Sequence, residues 1–217
     1  MTQSTLRLGI IGAGGVSQLQ YFPGIQVDPR ATLLAICDPD EATLARRRQQ
    51  WDVPHTYTDY RSLLDRDDLD AVIIATPNAS HVEIALAAIG SGRHVMCEKP
   101  LGTSADQVQP LAAAAQASGR VHMTAFTYRF APSMRYLRHL VHTGALGEPR
   151  HFRSQRFLDW PETSWGWRQY RAQAGAGDLY DMTIHRIDFA LDLLGPLERV
   201  CGSVAQFAPR TVTPDGQ

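Results

Sequence analysis

The sequence has 217 residues, of which 44% are apolar and 20% charged, a composition typical of a globular protein with a buried core. A formal charge of -1 and a pI near 6.7 argue against a nucleic-acid partner, because neither provides a field that attracts a polyanion. No apolar run is long enough for a membrane span, and the glycine-broken run near the N-terminus lacks the features of a signal peptide, so no membrane contact is expected.

Short apolar strands alternate with helical segments as far as about Phe126. The strands are LRLGIIG, TLLAICD, AVIIATP, HVMCEKP and VHMTAF. This rhythm predicts an α/β fold for residues 1–125, a dinucleotide-binding Rossmann domain with a doubly wound parallel sheet. Ser80 and Glu83 have the spacing of a capping box at the start of one helix.

The pattern changes in residues 126–217. Two helices are predicted, PSMRYLRHLVHTG and GDLYDMTIHRIDFALDLLGP, together with two strands, RHFRSQRF and RVCGSVAQF. We expect a partial α+β domain for substrate binding and oligomerisation, with an open, mainly antiparallel sheet. Two strands alone make a marginal sheet, so this domain is expected to be incomplete and to form a homo-oligomer through the sheet.

The cysteines indicate a cellular compartment. Cys37, Cys97 and Cys201 are odd in number and widely spaced, and the first two lie in predicted strands. This usage is typical of free thiols in a reducing compartment, so a cytoplasmic protein is expected.

The stretch GIIGAGGVS places a glycine-rich turn directly after the first strand. Gly12 permits a tight turn and Gly14 lets the backbone approach a pyrophosphate, although such a turn is also typical of a simple βα connection. Asp38 ends the second strand, where a carboxylate binds the adenosine ribose and repels a 2′-phosphate; a turn within DPDE is the alternative role. Together these features predict NAD in preference to NADP.

Two other segments, TPN at 76–78 and EKP at 98–100, end strands on the side of the sheet where ligands bind. Lys99 is expected beside the nicotinamide, where an ammonium group can donate a hydrogen bond to a substrate hydroxyl; a surface lysine before a turn is the alternative. The predicted cofactor-binding residues are Gly12, Gly14, Gly15, Val16, Asp38, Thr76, Pro77, Asn78, His81 and Glu98.

The predicted helix around His185 carries a polar stripe on an otherwise apolar surface. Its members, at positions i, i+4, i+7 and i+11, are Asp181, His185, Asp188 and Asp192. The stripe is expected to face a cleft, with a solvated stripe as the alternative. Asp181 lies one turn before His185, where it can orient the imidazole and raise its basicity as a general base requires. No metal site is predicted.

Together these segments resemble the Gfo/Idh/MocA oxidoreductases, the glucose-fructose oxidoreductase and inositol dehydrogenase group. The resemblance rests on GIIGAGGVS, CDPD, ATPNASHVEIALAAIGSGRHVMCEKPL, the YRF at 128–130 and AGAGDLYDMTIHRIDFALDLLG. It implies that Lys99, Asp181 and His185 form the catalytic set and that the Lys99-Pro100 peptide is cis. The chain departs from the family pattern at Thr183 and AGAG, where glycines are usual, and family members continue well beyond its last residue.

The resemblance implies an NAD-dependent oxidoreductase that transfers hydride between a nicotinamide and a secondary alcohol of a sugar, inositol or related polyol. The expected substrate contacts are Tyr128, Arg129 and Trp167. Trp167 belongs to an aromatic loop that also includes Trp160, and a packed loop is the alternative to a sugar-binding one. Other hypotheses are an NAD-dependent glycoside hydrolase of the same fold, a non-catalytic dinucleotide-binding regulator, and an inactive fragment.

Overall fold

The computed structural model describes residues 5–157 and 165–205. The chain divides into two compact units, Met1–Ala125 and Phe126–Gln217, which we call unit 1 and unit 2. In the described part of the chain, no helix combines the length and the apolar character that crossing a bilayer requires.

Unit 1 is built on six strands, β1 (Leu6–Ile11), β2 (Ala31–Cys37), β3 (His55–Tyr57), β4 (Ala71–Ile74), β5 (His94–Cys97) and β6 (His122–Thr124). They form one sheet in the order β3-β2-β1-β4-β5-β6, and every neighbouring pair is parallel. The order reverses beside β1, which creates the switch point where doubly wound sheets bind ligands at the carboxyl ends of their strands. The predicted Rossmann sheet is therefore confirmed.

Helices cover both faces of this sheet. They are α1 (Phe22–Val27), which continues a π-helical segment over Ser17–Tyr21, α2 (Glu41–Trp51), α3 (Tyr60–Leu64), α4 (His81–Gly90) and α5 (Ala105–Ala117). Neighbouring β1 residues belong to different apolar clusters: Ile10 packs with Phe22, and Ile11 packs with Leu63. Because successive strand residues point to opposite faces, the two clusters are the cores on the two sides of the sheet. Cys37 and Cys97 are buried free thiols, as predicted, and Cys201 is an exposed one.

Unit 2 contains the helices α6 (Pro132–His142), α7 (Arg171–Ala174) and α8 (Ile184–Leu194), the last preceded by a π-helical segment over Leu179–Thr183. The predicted antiparallel sheet is not confirmed, because residues 150–157 and 199–205 form no strand. A strand needs a neighbour that pairs with its backbone, and no described residue of unit 2 provides one. The end of the second predicted strand, residues 206–207, lies outside the described residues. Homo-oligomerisation through this sheet stays a prediction.

Candidate active site

The glycine-rich turn after β1 is closed at its first glycine and open at the next two. Gly12 has φ +96°, and an added Cβ would lie 2.5 Å from the carbonyl oxygen of Ala75. The Gly12 carbonyl also accepts a hydrogen bond from Ser17 Oγ at 2.6 Å. Gly14 and Gly15 are exposed, have φ outside the positive range, and have no atom within 4 Å of an added Cβ. The fold itself therefore requires glycine at Gly12, whereas the next two glycines leave space beside the backbone.

Asp38, half-buried at the end of β2, is tied to this turn. Its Oδ2 accepts a hydrogen bond from the Ala13 backbone N–H at 2.9 Å, and its Oδ1 accepts one from Asp40 N–H at 3.0 Å. Each carboxylate oxygen has a second lone pair, so these bonds leave acceptor capacity for a ribose hydroxyl. On the same turn, Arg47 Nε donates to the Ala13 carbonyl at 3.2 Å. Arg47 is a neighbour of the site that the sequence analysis did not single out.

The strand-end segments after β4 and β5 lie side by side, because the two strands pair in parallel up to Ile74 and Cys97. His81 joins these segments: it is fully buried, and its ring nitrogens lie 2.7 Å from the Pro100 carbonyl oxygen and 2.8 Å from that of Thr76. This predicted cofactor residue thus contacts protein carbonyls through both nitrogens. The neighbouring Asn78 is also buried.

Glu98 is buried, and its two carboxylate oxygens have different partners. Oε1 accepts a hydrogen bond from the Tyr21 hydroxyl at 2.5 Å, and Oε2 accepts one from the Lys99 backbone N–H at 3.2 Å. The Lys99-Pro100 peptide is cis, as the resemblance implies. Glu98 therefore connects the segment after the glycine-rich turn to the backbone of the predicted catalytic lysine.

Lys99 is half-buried and is the only lysine among the 217 residues; every other one of the 21 lysine and arginine residues is an arginine. An ammonium and a guanidinium differ in shape and donor geometry, and Lys99 is the one position where this sequence has the ammonium group. The single lysine is a sequence signal for Lys99 that is independent of the EKP motif.

In unit 2, His185 is buried among aromatic side chains. The ring of Tyr128 meets it edge to face with 4.8 Å between centroids, and the ring of Phe126 does so at 6.1 Å. Asp181 lies in the π-helical segment before α8 and accepts a hydrogen bond from Arg168 Nε at 3.1 Å. Two predicted catalytic residues are thus fixed by neighbours within unit 2, and one of those neighbours, Arg168, was absent from the predicted site.

Two carboxylates of the polar stripe belong to an ion network within unit 2. Arg129 Nε lies 3.0 and 2.9 Å from the two carboxylate oxygens of Asp188, and one Arg129 terminal nitrogen lies 3.6 Å from Asp192. Arg138 Nε lies 3.3 Å from the same Asp192 oxygen. The hydrogen bond to Asp188 raises the pKa of Arg129, partly opposed by burial. Arg129, a predicted substrate contact, therefore already pairs with a buried carboxylate.

The aromatic loop is partly described. The Arg168 guanidinium lies over the Trp167 ring at 4.4 Å from its centroid, and the rings of Trp165 and Tyr170 are 6.2 Å apart. Both contacts lie within unit 2, and contact of Trp167 with a sugar stays a prediction. Trp160 lies outside the described residues. Within residues 5–157 and 165–205, no group of three or more His, Cys, Asp or Glu side chains is arranged to hold a metal ion.

The residues of unit 1 fit a dinucleotide. The turn at the switch point offers open backbone at Gly14 and Gly15, the position where a pyrophosphate approaches in this class of fold. Asp38 stands at the end of the neighbouring strand, where a ribose would meet a carboxylate. At Gly12 the space beside the backbone is filled by protein atoms. At Gly14 and Gly15 it is open.

This difference predicts separate outcomes for two alanine variants. Gly12→Ala forces a methyl group against the Ala75 carbonyl at a positive φ, so the free energy of unfolding should fall by about 1–3 kcal/mol. Gly14→Ala should unfold like the wild type but bind NAD about tenfold more weakly, because its methyl group occupies the space left for the ligand. Thermal unfolding and nucleotide titration measure the two effects. A Gly14→Ala chain with wild-type affinity for NAD would show that this space is not the nucleotide site.

Comparison with known proteins agrees with this geometry. The model of the oxidoreductase family with an NAD-binding Rossmann fold, GFO_IDH_MocA, matches residues 6–126, and that of the GFO/IDH/MocA C-terminal domain matches residues 134–216. Levoglucosan dehydrogenase of Pseudarthrobacter phenanthrenivorans is 32% identical over 94% of this chain and 55% of its own length. D-glucoside 3-dehydrogenase of Escherichia coli is 31% identical over 90% of this chain and 56% of its own.

A solved structure of levoglucosan dehydrogenase in complex with NADH is 30% identical and superposes with a TM-score of 0.75, covering 88% of this chain and 54% of the other. The chain thus spans about half the length of the relatives that it matches. Since the first family model alone covers more than half of the residues, the chain belongs to the Gfo/Idh/MocA oxidoreductase family, and unit 1 is its NAD-binding Rossmann domain.

Proposed function

We propose that the chain is the cofactor-binding and catalytic part of an NAD-dependent dehydrogenase that oxidises a secondary alcohol of a sugar, inositol or related polyol. The observation that carries the proposal is the open turn at Gly14 and Gly15, on a sheet whose β5 strand leads into the only lysine of the sequence. The names of the two relatives, a levoglucosan and a D-glucoside dehydrogenase, support a sugar as the substrate.

The reaction requires a proton and a hydride to leave the alcohol. NAD, when bound, supplies the hydride acceptor. We assign the proton transfer to His185, which takes the hydroxyl proton as general base, while Lys99 donates a hydrogen bond to the same oxygen as it becomes a carbonyl. Asp181 acts as a positioning residue that holds the imidazole and stabilises its protonated form. The alcohol becomes a ketone, and the imidazole of His185 carries the proton.

The predicted binding residues divide by their surroundings. Direct cofactor contacts are proposed for the residues at the open turn and strand ends, Gly14, Gly15, Val16, Asp38, Thr76, Pro77 and Asn78. His81 and Glu98, whose polar groups bond to protein atoms, are proposed to shape the site instead. Of the predicted substrate contacts, Tyr128 has the best support, because the residue is 40% exposed and its ring adjoins His185.

The direct experiment supplies the chain with NAD and a panel of sugars and polyols and follows the absorbance of NADH. A dehydrogenase forms NADH in proportion to a ketone product, whereas an NAD-dependent glycoside hydrolase would release the sugar without net NADH. NAD binding without turnover on any polyol would contradict the dehydrogenase and leave the non-catalytic regulator and the inactive fragment as the remaining hypotheses.

We also predict that Asp38 sets the preference for NAD over NADP. Asp38→Asn keeps an oxygen that can accept the Ala13 N–H bond but removes the charge that repels a 2′-phosphate, so NAD should bind about tenfold more weakly and the preference should narrow. Asp38→Ala also removes the bond to the turn, so it should weaken the binding of both nucleotides. Fluorescence titration with NADH and NADPH measures these effects. Equal affinity of the wild type for the two nucleotides would disprove the assignment.

A further inference from the structure

We propose that Tyr21 is a positioning residue for Lys99, because its hydroxyl fixes the Glu98 carboxylate that in turn holds the Lys99 backbone. The inference rests on the proposed function, in which Lys99 bonds to the substrate oxygen. It assigns a role to a residue outside the glycine-rich turn, the TPN and EKP segments and the Asp181–His185 pair.

A continuous set of contacts joins the glycine-rich turn to the lysine. Ser17, the first residue of the π-helical segment, donates to the Gly12 carbonyl at 2.6 Å. Tyr21, the last residue of that segment, donates to Glu98 Oε1 at 2.5 Å, and Glu98 Oε2 accepts the Lys99 N–H at 3.2 Å. One short segment therefore contacts the turn that we assign to the pyrophosphate at one end and the support of Lys99 at the other.

Burial makes the Tyr21 hydroxyl important to Glu98. Tyr21 is 7% exposed and Glu98 is 8% exposed, so water has little access to a carboxylate oxygen that loses its donor. A buried acceptor without a partner is costly, and the Glu98 side chain would rotate to find a new one. That rotation would also move Oε2, which holds the Lys99 N–H.

Two further observations favour a local effect of Tyr21 on Lys99. Burial, and next the charge of Glu98, raise the pKa of Tyr21 far above its ordinary value, so the hydroxyl stays protonated and remains a donor wherever the protein is folded. Beyond Lys99, His81 contacts the Pro100 carbonyl at 2.7 Å independently of Tyr21. Loss of the Tyr21 hydroxyl should therefore loosen the backbone N–H of Lys99, while the following residue, Pro100, remains bonded to His81.

The unique lysine allows a measurement that does not depend on turnover. Reductive methylation with ¹³C-formaldehyde labels only two kinds of amine in this chain, Lys99 and the N-terminus, and dimethyl-lysine keeps its positive charge. The ¹³C resonance then reports the surroundings and the pKa of Lys99, with and without NAD. The test compares the wild type, Tyr21→Phe and a matched control, Tyr60→Phe, whose hydroxyl donates to Glu83 Oε1 at 2.6 Å on the surface of unit 1.

We expect the Lys99 resonance of nucleotide-free Tyr21→Phe to differ from the wild type and its shift on adding NAD to fall at least twofold. Turnover should fall about tenfold with little change in the KM for NAD, because positioning and not binding is lost. Tyr60→Phe should match the wild type in every measurement. A Tyr21→Phe chain with the wild-type resonance, pKa and NAD response would overturn the proposal.

A second variant covers the case in which Tyr21→Phe does not fold. Glu98→Leu retains a side chain of comparable length but has no acceptor, so it removes the contacts with both the Tyr21 hydroxyl and the Lys99 N–H. It should change the Lys99 resonance in the same direction, and an unchanged resonance would count against the proposal. A wild-type chain that binds NAD without any change at Lys99 contradicts the proposed function instead, while the nucleotide-free comparison still decides the role of Tyr21.

Discussion

Lys99→Ala is expected to lower kcat by about a hundredfold or more while the Kd for NAD changes little. In the proposed mechanism the side chain donates a hydrogen bond to the substrate oxygen as that oxygen becomes a carbonyl, so the loss should fall on the chemical step. The turn that we assign to NAD lies at the end of a different strand, β1, and keeps its own contacts at Gly12 and Ala13. Steady-state kinetics and a nucleotide titration of the same preparation separate the two quantities.

Lys99→Arg is the matched control, because it retains the positive charge at the same position. A guanidinium is planar and larger than an ammonium and has a different donor geometry, so we expect it to restore only part of the lost activity. Acetylation of the wild type, whose only other amine is the N-terminus, should reproduce the loss seen in Lys99→Ala, and acetylated Lys99→Ala controls for the N-terminus. Near-normal kcat in Lys99→Ala would exclude the lysine from the mechanism.

The sheet of unit 1 could be predicted because its central strands are apolar runs separated by helical periodicity. Five of the six strands coincide with predicted ones, and the exception, β3, spans only His55–Tyr57. Three residues are too few for an alternating pattern to be recognised. β3 lies at the edge of the sheet and forms because its backbone pairs with β2. That pairing depends on the tertiary structure and not on the local sequence.

The helix after TPN shows a correct prediction reached for the wrong local reason. It spans His81–Gly90, close to the predicted start, but Ser80 makes no capping bond. The Ser80 hydroxyl bonds instead to Thr76 Oγ1 and the Pro77 carbonyl, while Glu83 accepts hydrogen bonds from Tyr60 and Arg61. Spacing along the chain identified the helix, but the competing partners came from elsewhere in the fold.

The candidate site shows the same limit. Motif spacing could place Asp38, Lys99 and His185 at the ends of strands or on a helix face, because those positions depend on local periodicity. It could not identify Tyr21 as the partner of Glu98, 77 residues away, or Asp188 as the partner of Arg129, 59 residues away. The partners of buried polar groups are determined by tertiary packing, so they cannot be predicted from motif spacing in one sequence.

The second domain was the least predictable part. RHFRSQRF has the alternation of a half-buried strand, yet its described residues are mostly exposed and form no ladder. The alternation of apolar and polar residues indicates which face of a strand would be buried. The strand itself forms only when a neighbouring strand pairs with its backbone. The alternation therefore predicted a strand that residues 150–157 do not form, because no described segment of unit 2 pairs with them.

His185→Ala is the second change with a large expected effect: kcat should fall by about a hundredfold or more while NAD binding survives. The imidazole is the proposed acceptor of the hydroxyl proton, and alanine leaves no group in its place. His185 is also buried against the Tyr128 ring, so alanine leaves a cavity that can lower stability. His185→Asn fills more of that space without providing a base, and it should be as inactive as His185→Ala but unfold at a higher temperature.

Asp181→Asn tests whether the carboxylate acts through this histidine. If it only orients the imidazole and stabilises its protonated form, its removal costs activity when His185 is present and little when His185 is already absent. The double variant should then have nearly the same kcat as His185→Ala alone. That kcat is far higher than the value expected if the two separate losses multiplied. Effects that multiply would mean that Asp181 acts on its own. Near-normal kcat in both His185 variants would remove the histidine from the mechanism, and Asp181, held by Arg168 at 3.1 Å, would become the candidate base to test next.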